Sequence, residues 1–225
     1  MVSKKKKGSL IRQSNIMALL VQPAFFGPVI QYVAMASQTD IIFEKQDNFQ
    51  KQTYRNRCYI YGANGKQLLS VPIVHSKSMG RQKTKEVKID YSYSWRKIFI
   101  KSIESSYRSS PYFEFYEDEI MQVFKKPCTY LLDLNLQGHE LISDCLQLES
   151  NIAFTETYEE APKEIKDYRF LADARKEPGY DLNPYTQVFD NKYGFISNLS
   201  ILDLLFHEGT NALTYLESHA GILNS

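Results

Sequence analysis

The segment Ile16-Met17-Ala18-Leu19-Leu20-Val21-Gln22-Pro23-Ala24-Phe25-Phe26-Gly27-Pro28 decides the fold class. Its first six residues are a continuous apolar run, which is typical of a strand buried on both faces in a parallel sheet. The polar and proline-containing stretch that follows forces a loop, and Pro28 suits the first turn of a helix. We therefore predict a strand over 16–21, a helix over 29–37 and a second strand opened by Asp40, which together have the length of one βαβ unit.

An antiparallel hairpin is predicted after this unit. Arg57–Tyr61 and Gln67–Val74 are strand-like runs on either side of Gly62-Ala63-Asn64-Gly65. An Asn-Gly pair between apolar runs is a hairpin signal, and about five residues between the runs leave the turn type open.

Helical periodicity begins at Trp95. We predict a helical segment over 95–149 that contains three helices. The first begins at Trp95, the second begins at Ser110-Pro111 and stops before Pro127, and the third runs from Thr129 to about Leu148.

The rest of the chain predicts a return to the sheet. It reads as a strand over 151–157, an excursion over the surface at 158–184, a short strand over 185–189 and a helix over 197–207. The predicted architecture is α/β. It has a Rossmann-like, mainly parallel sheet in the N-terminal part, a helical insertion and a C-terminal strand-plus-helix return. We expect residues 1–15 to be a flexible N-terminus and residues 16–225 to form a single domain.

Bulk composition argues for a globular protein without a polyanion partner. The 225 residues are 43% hydrophobic and 24% charged, with a net charge of +1. Removing the four lysines of Lys4–Lys7 from the 27 basic residues leaves 23 against 26 acidic residues, a net charge of −3. A slightly acidic body weighs against a general nucleic-acid binder.

Cysteine usage and hydropathy predict a cytoplasmic protein. The three cysteines, Cys58, Cys128 and Cys145, have no CxxC spacing, which argues against a disulfide scaffold and a structural zinc site. No apolar run has the length of a signal-peptide core or of a membrane span.

Candidate ligand-binding residues follow the first two predicted strands. Gln22 lies just past the first strand, at the edge where open parallel sheets bind ligands. If Arg55-Asn56-Arg57 enters a strand, Arg55 and Arg57 point to one face and suit a phosphate or carboxylate. The alternative is that these arginines pair with surface acids such as Asp47.

Candidate catalytic residues are harder to find. Asp203 and His207 are four residues apart and share a helical face, so Asp203 could orient a catalytic His207. The alternative is structural, because Ser200-x-x-Asp203 is close to a capping box. Asp47 is a third candidate, as a general base or as a partner of Arg57. The GxGxxG, Walker, GxSxG and HExxH motifs are absent from the sequence, which predicts no metal and identifies no cofactor.

Several blocks together resemble the WbqC-like family. They occur in the family's order as Gln22-Pro-Ala-Phe-Phe-Gly-Pro28, Asp47-Asn-Phe-Gln-Lys-Gln-Thr-Tyr-Arg-Asn-Arg-Cys58, Val71-Pro-Ile73, Ser110-Pro-Tyr-Phe113, Pro184-Tyr185-x-Gln187-x-Phe189 and Asn198-Leu-Ser-Ile-Leu-Asp-Leu-Leu-Phe206. The resemblance implies bacterial origin. It also implies a glycine, aminoacyl or acyl transferase that acts on a sugar in O-antigen-like polysaccharide metabolism.

The resemblance also directs attention to particular substrate-binding residues. Lys51, Arg55 and Arg57 would hold an anionic group. Hydrogen bonds would come from Gln22 and Asn56, and Tyr54 lies in the same block.

Three functional readings remain open from the sequence. The leading one is the transferase, with a small anionic or sugar substrate. The second is a non-catalytic protein that binds an anionic ligand or a nucleotide-sugar in the same pathway. The third, nucleic-acid binding through Lys4–Lys7 and the basic loop at 75–88, is disfavoured by the charge balance. Nucleotidylyl transfer is also disfavoured, because the first loop lacks the paired histidines of such enzymes. The oligomeric state stays open.

Overall fold

A computed structural model describes residues 17–74, 82–175 and 178–223. Its strands are β1 (Leu19–Val21), β2 (Asp40–Phe43), β3 (Arg57–Gly62), β4 (Gly65–Ser70), β5 (Asn151–Phe154) and β6 (Lys166–Asp167). Its α-helices are α1 (Val29–Ala36), α2 (Trp95–Tyr107), α3 (Phe113–Gln122), α4 (Leu131–Leu146), α5 (Asp190–Tyr193), α6 (Ile201–Glu208) and α7 (Ala212–Ser218). The predicted N-terminus, residues 1–15, lies outside the described residues.

The main sheet has four strands in the order β5-β2-β1-β6, and all three pairings are parallel. The chain moves outward from β1 through β2 to β5 and then crosses to the far side of β1 to add β6. All three residues of β1 are buried, which explains the continuous apolar run. The predicted α/β fold with a mainly parallel sheet is confirmed.

The predicted helix after the first loop is α1, and it begins directly after Pro28. Proline offers no side-chain cap, so the first amides of the helix need other acceptors. The N–H of Val29 donates to the Leu199 carbonyl at 2.9 Å, and that of Ile30 donates to Oδ1 of Asn198 at 2.8 Å. The segment before α6 therefore fixes the start of α1 and the direction of the loop after β1.

The predicted hairpin is formed by β3 and β4, but it is tighter than expected. Gly62 pairs with Gly65, so only Ala63 and Asn64 lie between the strands. Gly65 adopts φ +93°, a conformation that glycine reaches without a steric penalty. β4 ends at Ser70 and not at residue 74.

The predicted helical segment contains α2, α3 and α4, and its aromatic residues build the core beneath the loop after β1. Phe25 and Phe26 are each 1% exposed, and the Phe26 ring stacks on Phe99 at 5.8 Å. The second helix was predicted to begin at Ser110. It begins at Phe113, because the Ser110 hydroxyl donates to the Tyr107 carbonyl at 2.7 Å and closes α2 instead.

The C-terminal part differs most from expectation. The predicted surface excursion at 158–184 contains β6 and a 3₁₀ turn at Arg169–Ala172. The predicted strand over 185–189 is wrong, because that segment has no regular structure and leads into α5. The predicted helix over 197–207 corresponds to α6, which begins at Ile201 and ends at Glu208, and α7 follows it after one 3₁₀ turn.

Among the described residues, every helix is too short or too polar to cross a membrane.

Candidate functional site

A cleft of about 900 Å³ opens beyond the carboxyl ends of β1 and β6. Gln22 follows β1 and Asp167 ends β6, and both side chains line the cleft. Ligands of open parallel sheets bind at this edge, where the strand order changes direction. The acidic lining residues are Asp47, Glu160, Asp167 and Asp173. The basic lining residues are Lys51, Arg55, Arg169 and Arg175.

Asp47 organises the floor of this cleft. Its Oδ2 accepts hydrogen bonds from Nε2 of Gln22 at 3.1 Å and from Nη2 of Arg55 at 2.5 Å. Its Oδ1 accepts from the Thr84 hydroxyl at 2.6 Å. Because three side chains donate to both of its carboxylate oxygens, Asp47 is placed to orient these neighbours.

Two buried polar atoms of the cleft-lining side chains have no hydrogen-bond partner among the described residues. They are Oε1 of Gln22 and Nε of Arg55, and the two side chains are only 3% and 4% exposed. A buried polar atom without a partner costs about 1–3 kcal/mol. Such atoms at the bottom of a cleft are natural contacts for a ligand.

The charge of Arg55 is compensated inside the protein. Burial lowers the pKa of the Arg55 guanidinium, while the charge and hydrogen bond of Asp47 raise it again. Guanidinium groups are so basic that this side chain stays protonated. Arg55 and Asp47 therefore form a buried ion pair in the floor.

A second ion-pair network forms the wall nearest β6. Arg169 holds both carboxylate oxygens of Asp167, at 2.8 and 2.6 Å, and reaches the buried Glu44 at 3.1 Å. Glu44 follows β2 and also accepts from the Thr155 hydroxyl beyond β5 at 2.7 Å. Burial raises the pKa of Asp167, but the hydrogen bonds and charge of Arg169 outweigh it and hold that pKa below its ordinary value. The network ties together the ends of β2, β5 and β6.

Four of the predicted substrate-binding and catalytic residues meet in the cleft. Gln22, Asp47, Lys51 and Arg55 all line it, which places the two predicted post-strand segments at one site.

The other predicted residues of the same block lie elsewhere. Tyr54 is buried against Tyr59, at 6.0 Å between the ring centroids. Asn56 donates to the Val71 carbonyl at 2.9 Å, and Arg57 is the first residue of β3. Arg55 precedes the strand, so the expected alternation does not place Arg55 and Arg57 on one face. Asp47 pairs with Arg55 and not with Arg57.

Asp203 and His207 belong to a different buried cluster, outside the cleft lining. The Asp203 carboxylate accepts from the hydroxyls of Tyr107 and Tyr185 at 2.8 and 2.6 Å and from Nε2 of Gln187 at 2.7 Å. Burial raises its pKa, because the hydrogen bonds and the neighbouring imidazole compensate only in part. Nδ1 of His207 lies 2.7 Å from the Asp203 backbone carbonyl and 3.9 Å from its carboxylate. The carbonyl therefore sets the orientation of the ring.

The sequence analysis did not identify the charged residues in the cleft wall nearest β6. Asp167, Arg169, Asp173 and Arg175 were assigned to a surface excursion. Both pairs have the form Asp-x-Arg, and in each the aspartate accepts from the arginine's backbone N–H and side chain. This repeated spacing was the available signal.

A second cavity, of about 690 Å³, lies between the hairpin turn and α2. Lysine and serine side chains line it, including Lys66, Lys101, Ser102 and Ser105. Within the described part of the chain, none of its lining residues has a buried polar atom without a partner. The cleft at the sheet edge is therefore the stronger candidate.

Comparison with known proteins identifies a family. The family model of the WbqC-like protein family matches residues 22–177, which include the cleft-lining segments after β1, β2 and β6. No curated protein and no solved structure matches the chain.

Proposed function

The chain belongs to the WbqC-like protein family, and from that premise we propose that it is a cytoplasmic transferase of bacterial surface-polysaccharide metabolism. The proposed reaction moves a glycyl or other aminoacyl group, or a simple acyl group, onto a sugar. The family resemblance supplies the pathway, and the cleft beyond β1 and β6 supplies the proposed site.

One observation carries the proposal. Gln22 and Arg55 line one large polar cleft, and each side chain has a buried polar atom without a hydrogen-bond partner among the described residues. A buried polar atom without a partner lowers the stability of the folded protein unless a ligand supplies its hydrogen bond. Ligand binding therefore explains this pair of atoms better than a contribution to stability does. The position agrees with the ligand sites of open parallel sheets.

The transfer chemistry assigns separate roles to the cleft residues. In the proposed step, the bond from the acyl carbonyl carbon to its leaving group breaks, and a bond to a sugar hydroxyl or amine forms. The acceptor's proton passes to the departing group, which leaves as its conjugate acid, for example as the thiol of an acyl-CoA donor. Gln22 and Arg55 position the sugar, Asp47 orients both of them, and the exposed Lys51 is free to contact an anionic part of the donor.

A ligand screen followed by a transfer assay tests the proposal. Nucleotide-sugars, acyl-CoAs, amino acids and S-adenosylmethionine are compared by thermal shift, since a ligand at 100 times its Kd stabilises by about 2.7 kcal/mol. Donor and sugar acceptor hits are then incubated together, and mass spectrometry measures the acylated sugar. We expect product with wild type and with Arg57→Lys, and at least tenfold less with Arg55→Lys. Product formation that is equal in both variants would contradict the site.

A second candidate is a binding protein without catalysis. The described residues that line the cleft include no histidine, cysteine or serine, and Asp47 has both oxygens engaged. The transfer assay separates the two functions. A protein that binds its sugar in the thermal-shift screen but forms no product with any donor is a binding protein.

A further inference from the structure

The floor of the cleft has a defined polarity. Asp47 only accepts hydrogen bonds when ionised, so the amide NH₂ of Gln22 must face it and the amide Oε1 must point away. Nη2 of Arg55 donates to the same Oδ2 atom of Asp47. Oε1 of Gln22 is thus a fixed acceptor and Nε of Arg55 a fixed donor, and their side chains meet at one carboxylate oxygen.

This arrangement disfavours an anion. Asp47 neutralises Arg55, and the other two arginines of the lining are paired as well. Arg169 is held by Asp167 at 2.6 Å, and Arg175 by Asp173 at 3.0 Å. The four acids and four bases of the lining balance in charge. An incoming phosphate or carboxylate would also meet the side-chain amide oxygen Oε1 of Gln22, and two negatively polarised oxygens repel each other. A neutral group that both donates and accepts fits better.

Aromatic side chains also line the cleft. Tyr158 and Phe170 line the cleft with 48% and 55% of their surface exposed, and Phe49 is partly buried beside them. Rings of this kind pack against the apolar C–H face of a pyranose, while neighbouring amides and guanidinium groups bind its hydroxyls. Oε1 of Gln22 and Nε of Arg55 are themselves buried, so a ligand reaches them only when neighbouring side chains of the cleft lining move.

From these contacts we infer that the floor of the cleft binds two adjacent uncharged hydroxyls of a sugar. One hydroxyl donates to Oε1 of Gln22, and the other accepts from Nε of Arg55. The inference rests on the proposed function for the class of ligand, a sugar, and adds which part of the sugar the protein recognises. It reverses the expectation that the arginine block holds an anionic group.

Binding measurements with wild-type protein give the first test. The probes are neutral methyl pyranosides, the same glycosides lacking one or both of two neighbouring hydroxyls, inorganic phosphate and acetamide. Ligand-observed NMR measures each Kd. We expect at least one glycoside to bind, its affinity to fall at least tenfold when either hydroxyl is removed, and phosphate to bind more weakly.

Ionic strength provides an independent readout. Contacts between neutral hydroxyls and an internally paired arginine are insensitive to salt, whereas attraction of an anion is screened. The glycoside Kd should stay within about twofold between low and high salt.

Matched variants connect the binding to the floor. Gln22 and Gln38 both have a buried Oε1 without a hydrogen-bond partner among the described residues, but only Gln22 lines the cleft. Gln31 is unsuitable as the control, because its Nε2 donates to the Gln22 backbone carbonyl at 2.7 Å. We expect Gln22→Met to weaken glycoside binding at least tenfold and Gln38→Met to change it by less than about twofold. Circular dichroism checks that both variants are folded, and the deoxy-glycoside series on wild type stands if either is not.

The outcomes are distinct. Preferential binding of phosphate, preferential binding of acetamide, or failure of every glycoside overturns the inference. Equal effects of the two glutamine variants do the same. Glycoside binding of the expected pattern without any product in the transfer assay leaves the inference intact and overturns only the transferase.

Discussion

Asp47 and Asp203 are both buried carboxylates, and each accepts hydrogen bonds from three side chains. The donors to Asp47 are Gln22, Arg55 and Thr84, and two of them retain an unpartnered polar atom. The donors to Asp203 are neutral and well satisfied. For example, the Tyr107 hydroxyl also accepts from the Tyr61 amide at 3.0 Å, and Gln187 forms a reciprocal pair of bonds with the Ile196 backbone.

The difference separates a structural cluster from a candidate site. In the cluster around Asp203, burial is matched by neutral donors from α2 and the 185–187 segment, so the hydrogen bonds tie these two parts of the fold to α6. In the cluster around Asp47, the Arg55 cation is paired with the carboxylate. Oε1 of Gln22 and Nε of Arg55, on two cleft-lining side chains, have no partner among the described residues. The side chains that donate to Asp203 have no buried unpartnered atom among the described residues, whereas two of those that donate to Asp47 do. Nε2 of the neighbouring His207 is also buried and unpartnered, but that atom belongs to no donor of the Asp203 carboxylate.

Removal of the Asp203 carboxylate should have the largest effect. We expect Asp203→Ala to lower the free energy of unfolding by about 4 kcal/mol, because three buried donors lose their acceptor at about 1–3 kcal/mol each. Urea unfolding measures this loss. Asp203→Asn, which retains one acceptor oxygen, should lose less than half as much.

The cluster would lose its structural assignment if Asp203→Ala were as stable as wild type. It would also do so if a folded Asp203→Asn lost transfer activity while it retained sugar binding.

Removal of the Asp47 carboxylate should destabilise less and impair binding more. The substitution leaves the buried Arg55 guanidinium without its counter-charge at the wall of a cleft that water can enter, so we expect Asp47→Ala to cost about 3 kcal/mol. Without its anchor the Gln22 amide can rotate, and glycoside affinity should fall at least tenfold. Urea unfolding and ligand-observed NMR measure the two effects. Unchanged affinity in Asp47→Ala would contradict its orienting role.

The βαβ start and the position of the site were predictable because simple rules control them. A continuous apolar run indicates a strand buried on both faces, and polar residues after parallel strands converge at one edge. The Gln22 and Asp47–Arg55 segments follow these rules. Arg57 does not, since it is the first residue of β3 and lies outside the cleft lining.

The missing half of the site could not be found from periodicity. β6 consists of Lys166 and Asp167, which form a strand only because their backbone pairs with Leu19 and Leu20 of β1. Two polar residues have neither an apolar run nor an alternation to reveal them. The wall that contains Arg169 therefore depends on a tertiary pairing, which local sequence does not encode.

The pH dependence of stability should differ in sign between the buried Asp203 and the ion-paired Asp167. Burial raises the pKa of Asp203, so the folded protein binds that proton more tightly than the unfolded chain does. The stability that this group contributes is present below its ordinary pKa and is lost as the pH rises through its raised pKa. Wild type should therefore gain stability relative to Asp203→Asn as the pH falls, by at most about 1.4 kcal/mol per pH unit.

Asp167 provides the opposite control. Its pKa lies below the ordinary value, so its contribution is present above that value and is lost as the pH falls through the lowered pKa. Wild type should lose stability relative to Asp167→Asn over the acidic range. Urea titrations of the three proteins at several pH values measure both trends, and slopes of the same sign would contradict the assignment.

The smallest effect is expected one turn before Asp203. The Ser200 hydroxyl caps α6 by accepting from the Leu202 N–H at 3.3 Å, and it donates to the Phe26 carbonyl at 2.8 Å. Ser200→Ala removes both bonds but leaves the three donors of Asp203 in place, so we expect a loss of about 1 kcal/mol and unchanged glycoside binding. Ser200→Thr, which retains a capping hydroxyl, should stay closer to wild type. A loss as large as that of Asp203→Ala would show that the cap, and not the carboxylate network, holds α6 against α1.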